Sequence, residues 1–347
     1  MADRWADQVA ASTTSHGVSD KTKVRLLPGV RAINRLMRSA PVFSVSRMDA
    51  ALLERVQRTA LPERGPVNLV SGIPHRDVAL ELSSFPGPYG DLPLRIYRPR
   101  HASVSGAARR PLVLHLHGGG FSMGSARQGA WLCSQVAAEL GAVVVAVDYR
   151  LAPTHRFPAA VEDCYAALEW VHAEARNLGA DPERIAVLGD SAGGNLAAVT
   201  TLMARDRSGP VIRHQTLIYP ATDLTENLKQ HPSYLANTRG IVLSHADLEV
   251  FHGHYVDSDV DPTDWRLSPL YAPDLSGLPP AIVVVAGLDP LHDSGVRYAE
   301  ALAAAGCSVR VEDFHLMPHG FLSFPYLSRG ARPAVRAIVA SQRAALT

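Results

Sequence analysis

The stretch Ile185-Ala186-Val187-Leu188-Gly189-Asp190-Ser191-Ala192-Gly193 joins a short apolar run to an alanine-rich segment through a serine set between two glycines. The run has the length and character of a buried strand, and Gly193 to Ala204 has the composition of a helix. A serine on such a turn stands above the sheet with its hydroxyl exposed, and backbone crowding on either side favours glycine at both flanks. The first turn of the following helix also leaves backbone N–H groups without intrahelical partners. Ser191 is therefore the candidate nucleophile. The same pattern recurs at Gly120-Phe121-Ser122-Met123-Gly124. There, however, the strand-like run Leu112 to Leu116 ends well before the motif, so the context favours Ser191.

Outward from this turn, short β-rich runs alternate with longer amphipathic ones from about residue 80, the signature of a largely parallel sheet covered by helices. The spacing predicts strands at Ala79 to Ser83, Leu92 to Tyr97, Leu112 to Leu116, Ala142 to Val147, Ile185 to Leu188, Gln215 to Tyr219, Ala281 to Val285 and Ser308 to Asp313. Helices are predicted at Ser125 to Leu140, Ala159 to Leu178, Gly193 to Ala204, Asp293 to Ala305 and Ala331 to Ala345. Two regions break the alternation, residues 1 to about 60 and Ala221 to about Leu270. Both read as additions over one end of the sheet, where the carboxyl ends of parallel strands bind ligands.

The chain has 347 residues, 47% of them apolar and 19% charged, enough to bury a large core without metal or disulfide. With 34 basic against 33 acidic residues its net charge is +1, which gives no field for a phosphate backbone, so nucleic acid is not an expected partner. Cys133, Cys164 and Cys307 are odd in number and widely spaced, and they read as buried free thiols. No stretch approaches the roughly 18 continuous apolar residues of a membrane span, and a cytoplasmic setting is the default expectation.

A serine nucleophile needs a base for its proton and a carboxylate to hold that base in the right tautomer. Asp289 falls just past the predicted strand Ala281 to Val285, in Gly287-Leu288-Asp289-Pro290-Leu291, where it could also cap the helix ahead of Pro290. His319 follows the last strand, in Met317-Pro318-His319-Gly320-Phe321, on a segment that Pro318 and Gly320 keep non-helical. The order serine, acid, histidine is the one expected of this hydrolase architecture. Asp293 rivals Asp289 but is better placed to brace the helix it begins, and His315 rivals His319 from the trailing end of the strand. His117-Gly118-Gly119-Gly120, directly after Leu116, can turn backbone amides toward a ligand oxygen; Gly118 and Gly119 with Ala192 are the predicted oxyanion donors. A dinucleotide cradle is disfavoured because Met123 stands where its last glycine belongs. His252-Gly253-His254 lacks any partner pattern for a metal, and no metal is assigned.

His117-Gly-Gly-Gly120, Asp148-Tyr149-Arg150-Leu151-Ala152-Pro153, Phe157-Pro158-Ala159-Ala160, Gly189-Asp190-Ser191-Ala192-Gly193-Gly194, Asp289-Pro290-Leu291 and His319-Gly320-Phe321 together resemble the hormone-sensitive-lipase-like family of α/β-hydrolases, over about residues 80 to 325. The resemblance implies an α/β-hydrolase fold with a mostly parallel eight-stranded sheet and a helical cap. It implies a triad of Ser191, Asp289 and His319, and hydrolysis of short to medium acyl esters without a cofactor. On this reading residues 1–60 are the N-terminal part of the cap and 61–220 the first part of the core; 221–270 are the cap insertion and 271–347 the rest of the core. Thr154 and Ser294 depart from the family pattern at positions that brace the scaffold. Phe43, Val45, Leu52 and Val56 on one side, and Leu243, Leu248 and Phe251 on the other, are candidates to line a pocket or to pack within the cap. The expected partner is a small-molecule ester; a homodimer is allowed by the sequence and not decided by it. An amidase or deacetylase with the same machinery, or a non-catalytic receptor on the same scaffold, are the alternatives; the presence of His319 argues against the receptor.

Overall fold

The computed structural model describes residues 26–59, 62–63, 65–100 and 109–346; the expected cap segment before residue 26 lies outside them. Strands β1 (Val78–Gly87), β2 (Gly90–Pro99), β3 (Arg110–Leu116), β4 (Val143–Val147), β5 (Ala180–Asp190), β6 (Ile212–Ile218), β7 (Ala281–Leu288) and β8 (Val309–Pro318) form one sheet in the order β1-β2-β4-β3-β5-β6-β7-β8. Only the β1/β2 and β2/β4 pairs are antiparallel. Each predicted strand is present, most with longer ends, and the fold is the predicted α/β-hydrolase fold. The continuous apolar runs have a direct cause. Leu112, Leu114, Val143, Val145, Ile185 and Val187 pack into one core cluster, while Val113, Val144, Ala146, Ala186 and Leu188 pack into another on the opposite face. Successive strand residues point to opposite faces, so a sheet covered on both needs no polar alternation.

The α-helices of five residues or more among the described residues are α1 (Pro28–Ser39), α2 (Ala50–Arg58), α3 (Ala130–Leu140), α4 (Ala159–Glu174), α5 (Ala192–Asp206), α6 (Pro232–Ala236), α7 (His245–Tyr255), α8 (His292–Ala304) and α9 (Ala331–Leu346). Residues of α4, α5 and α8 fill the first cluster, and those of α3 and α9 the second. The helix expected from Ser125 starts only at Ala130. The amide of Ala126 is taken by the Asp148 carboxylate, and a side-chain acceptor there holds the backbone in turns.

The two regions outside the alternation meet each other. Ser44 and Ser46, between α1 and α2, donate to Asp247 of α7 at 2.6 and 2.8 Å. Gln57 of α2 spans the carbonyls of Ser122 and Ala152 at 2.8 and 2.7 Å. Cys133 and Cys164 are buried thiols as expected, but Cys307 is a correction: it is partly exposed, with Sγ on the Leu275 carbonyl at 3.2 Å. It lies just past α8, where the chain turns back to the outermost strand. Among the described residues no helix is long and apolar enough to cross a membrane.

Candidate active site

β5 delivers Asp190 to the carboxyl edge of the sheet, and Ser191 turns the chain into α5 with φ 57° and ψ −119°. A non-glycine residue in that region is strained, and its surroundings hold it there: the Ser191 amide donates to the Ile218 carbonyl at 2.8 Å. The flanking glycine is a packing requirement, because a Cβ on Gly193 would overlap the Leu116 carbonyl at the end of β3.

The pairing of β7 with β8 sets Leu288 beside Pro318, so the next residue on each strand, Asp289 and His319, emerge side by side. His319 Nδ1 lies 2.6 Å from Asp289 Oδ2, and His319 Nε2 lies 2.8 Å from Ser191 Oγ. Asp289 is fully buried and His319 is 6% exposed. A carboxylate accepts only, so the proton on the neutral ring sits at Nδ1 and the Nε2 lone pair faces the serine hydroxyl. The second oxygen of Asp289 accepts the Leu291 amide at 2.8 Å, so this carboxylate caps the turn and orients the imidazole at once.

Residues 113–323 match the alpha/beta hydrolase fold family. The chain is 44% identical over 270 residues to the carboxylic ester hydrolase LipN of Mycobacterium tuberculosis, an overlap of 76% of this chain and 70% of that one. It is 39% identical over 234 residues to an ethyl acetate hydrolase of Pseudomonas putida, covering 67% of this chain and 71% of its relative. The hyperthermophilic esterase of Pyrobaculum calidifontis superposes with a TM-score of 0.79 at 38% identity, covering 93% of this chain and 99% of that structure. The chain belongs to the hormone-sensitive-lipase-like α/β-hydrolases. As a member of that family it is a carboxylic ester hydrolase.

The rivals weighed from sequence are engaged elsewhere in this hydrolase. Asp293 faces His292 and the Ser233 amide, and the His315 side chain is 79% exposed against Asp313. Ser122 Oγ is buried without a hydrogen-bond partner among the described residues. Among the described residues no group of side chains is arranged to hold a metal ion.

One expected donor is corrected. The Gly118 amide donates to Asp190 Oδ1 at 3.1 Å, so it is not free for a substrate oxygen. The amides of Gly119, Gly120 and Ala192 have no acceptor among the described residues, and Gly120 and Ala192 line the same cavity as Ser191. Gly119 sits at φ 127°, a conformation open to glycine alone. Sequence reasoning missed both Asp190 and Gly120. Asp190 carried a signal: it is a carboxylate directly beside Ser191, at the end of the strand that neighbours β3. His117 lies behind that loop, its ring stacked on Tyr149 at 4.2 Å and its carbonyl accepting the Tyr149 hydroxyl at 2.7 Å. Burial lowers the His117 pKa and keeps that ring neutral. Arg150 holds buried Asp163 through two nitrogens at 2.7 to 3.1 Å, so these motif residues brace the scaffold and do not face the cavity.

The cavity over Ser191 encloses about 90 Å³. Leu243, Leu248 and Phe251, which the sequence left open between pocket and packing, line it with Phe121 and Leu291. The Phe251 ring lies so close over Gly120 that a Cβ there would overlap it. Phe43, Val45, Leu52 and Val56 do not line it; Val45 is buried in packing and Phe43 is 38% exposed. At the exposed rim, Lys229 Nζ reaches Glu226 at 2.8 Å and Glu249 at 3.0 Å.

Proposed function

We propose that the hydrolase cleaves short to medium acyl esters through an acyl-enzyme on Ser191, with His319 as general base and acid and Asp289 as its orienting carboxylate. The observation that carries this reading is the continuous chain of contacts from Asp289 through His319 to Ser191, at 2.6 and 2.8 Å. Ser191 Oγ attacks the ester carbonyl while Nε2 takes its proton, and the imidazolium that forms is stabilised by Asp289. The carbonyl oxygen, now negative, is held by the amides of Gly119, Gly120 and Ala192. His319 protonates the departing alcohol, then removes a proton from the water that releases the acid. The chemistry calls for no cofactor.

The largely apolar lining selects an acyl chain over a charged group. Residues 26–59 and 221–270 would act as the cap. The test is a p-nitrophenyl ester series of rising acyl length, run with Ser191→Ala and Asp289→Asn. Activity should fall about 10³-fold or more in both variants, with folding intact by circular dichroism. Near-normal turnover in Ser191→Ala would overturn the assignment. Comparing an ester with an amide of one acyl group separates the esterase from an amidase.

A further inference from the structure

His292 lies outside the machinery described above, yet both of its ring nitrogens face carboxylates. Nδ1 is 2.8 Å from Asp293 Oδ1, and Nε2 is 3.1 Å from Asp313 Oδ2. Carboxylate oxygens only accept, so each nitrogen must carry a hydrogen, and an imidazole that donates from both is an imidazolium. Burial works against that charge, but the bonds to Asp293 and Asp313 outweigh it and hold the pKa up to about 10. His315, on β8, sets its own Nδ1 3.0 Å from the same Asp313 oxygen. From α8 the imidazolium therefore faces Asp293, and from β8 it faces Asp313 and His315. From α6 the uncharged Ser233 reaches the cluster through Asp293 and not through the ring itself.

The connections of this cluster give it a role. His292 begins α8 three residues after Asp289, and Asp313 sits in β8 six residues before His319. The other oxygen of Asp293 accepts the Ser233 amide at 2.9 Å, and the Ser233 hydroxyl donates to the Pro290 carbonyl at 3.2 Å. Asn237, just past α6, reaches the Asp289 carbonyl at 3.4 Å. The turn bearing the acid and the strand leading to the base thus meet at one charged ring, and the short helix over the turn joins them through Asp293.

We propose that His292 is a positioning residue whose positive charge pins the Asp289 turn to β8 and to α6, so that acid and base keep their spacing. The inference rests on the proposed roles of Asp289 and His319. Two variants test it, His292→Gln and His292→Arg, with kcat and KM for a p-nitrophenyl ester measured from pH 7 to 11 beside wild type and Ser191→Ala. Small misplacements of reacting groups are costly, so His292→Gln should lower kcat at pH 8 by about tenfold with KM little changed. Wild-type kcat should fall along an alkaline limb near pH 10, where the ring loses its proton. His292→Arg keeps a charge throughout, so it should retain most of kcat and lack that limb. If His292→Gln does not fold, the Arg variant decides alone. The proposal is overturned if His292→Gln matches wild type at pH 8, if His292→Arg loses as much as Gln, or if the Arg variant keeps the limb or does not fold. Activity surviving in Ser191→Ala would instead strike at the proposed function itself.

Discussion

Ser191 and Asp190 divide two tasks between adjacent positions. The serine occupies a strained backbone conformation that costs on the order of 1–3 kcal/mol, offset by the strand and helix on either side. The aspartate reaches back from the same turn to fix the Gly118 amide, and His115 Nε2 stands 3.5 Å from the same oxygen. Because Gly118 precedes the two glycines that supply the proposed oxyanion donors, Asp190 sets the path of that loop. Asp190→Ala should therefore lower kcat for a short ester by about 10- to 100-fold with a smaller change in KM, since the donors act on charge that develops in the transition state. A variant that raised KM with kcat unchanged would show that the carboxylate shapes ground-state binding alone. At this scale the three side chains that meet, Ser191, Asp289 and His319, were legible from local context and chain order. The Gly118 donor was misread, because which of three consecutive glycine amides is free depends on a neighbour 72 residues away.

Strands β3, β5, β7 and β8 end at one edge of the sheet, and each hands its next residues to the site. Their positions were readable because strands buried on both faces are continuous apolar runs. The start of α3 was not, since the Asp148 contact that holds residues before Ala130 out of the helix comes from a different strand end. Helix α7 has the clearest functional consequence. It carries Leu248 and Phe251 over the cavity, with the Phe251 ring against Gly120. Phe251→Ala should open this wall and raise kcat/KM for octanoyl relative to butanoyl esters by about tenfold, the scale at which pockets discriminate methylenes. An unchanged chain-length profile would remove Phe251 from the acyl site. Leu243, Leu248 and Phe251 were anticipated as pocket candidates, whereas the N-terminal four were indistinguishable from them in hydropathy and turned out to lie elsewhere.

Across the whole molecule, the segment before the sheet and the insertion after β6 are joined by one buried carboxylate. Asp247 accepts from Ser44, from the amide and hydroxyl of Ser46, and from Ser244, linking positions some 200 residues apart. Burial alone would raise its pKa, but the hydrogen bonds from Ser244, Ser44 and Ser46 outweigh it and hold the carboxyl below the ordinary range. A folded value below the unfolded one means that this stabilisation is complete above about pH 4 and is lost as the pH falls through the lowered value. Asp247→Asn should cost on the order of 1–3 kcal/mol at pH 7 and flatten the acid limb of the melting temperature measured from pH 6 to 2. An acid limb identical to wild type would show that the carboxylate does not couple the two segments. By itself the sequence determined the fold class, the eight strands, and the three side chains, Ser191, Asp289 and His319, that come within hydrogen-bond distance of one another. Those features are written in local periodicity, turn chemistry and order along the chain. The tertiary structure alone decided which glycine amides are free, which apolar residues wall the cavity, and how His292 and Asp247 tie distant segments together. Each of these depends on distances between positions remote in sequence, and pattern along a chain does not encode such distances.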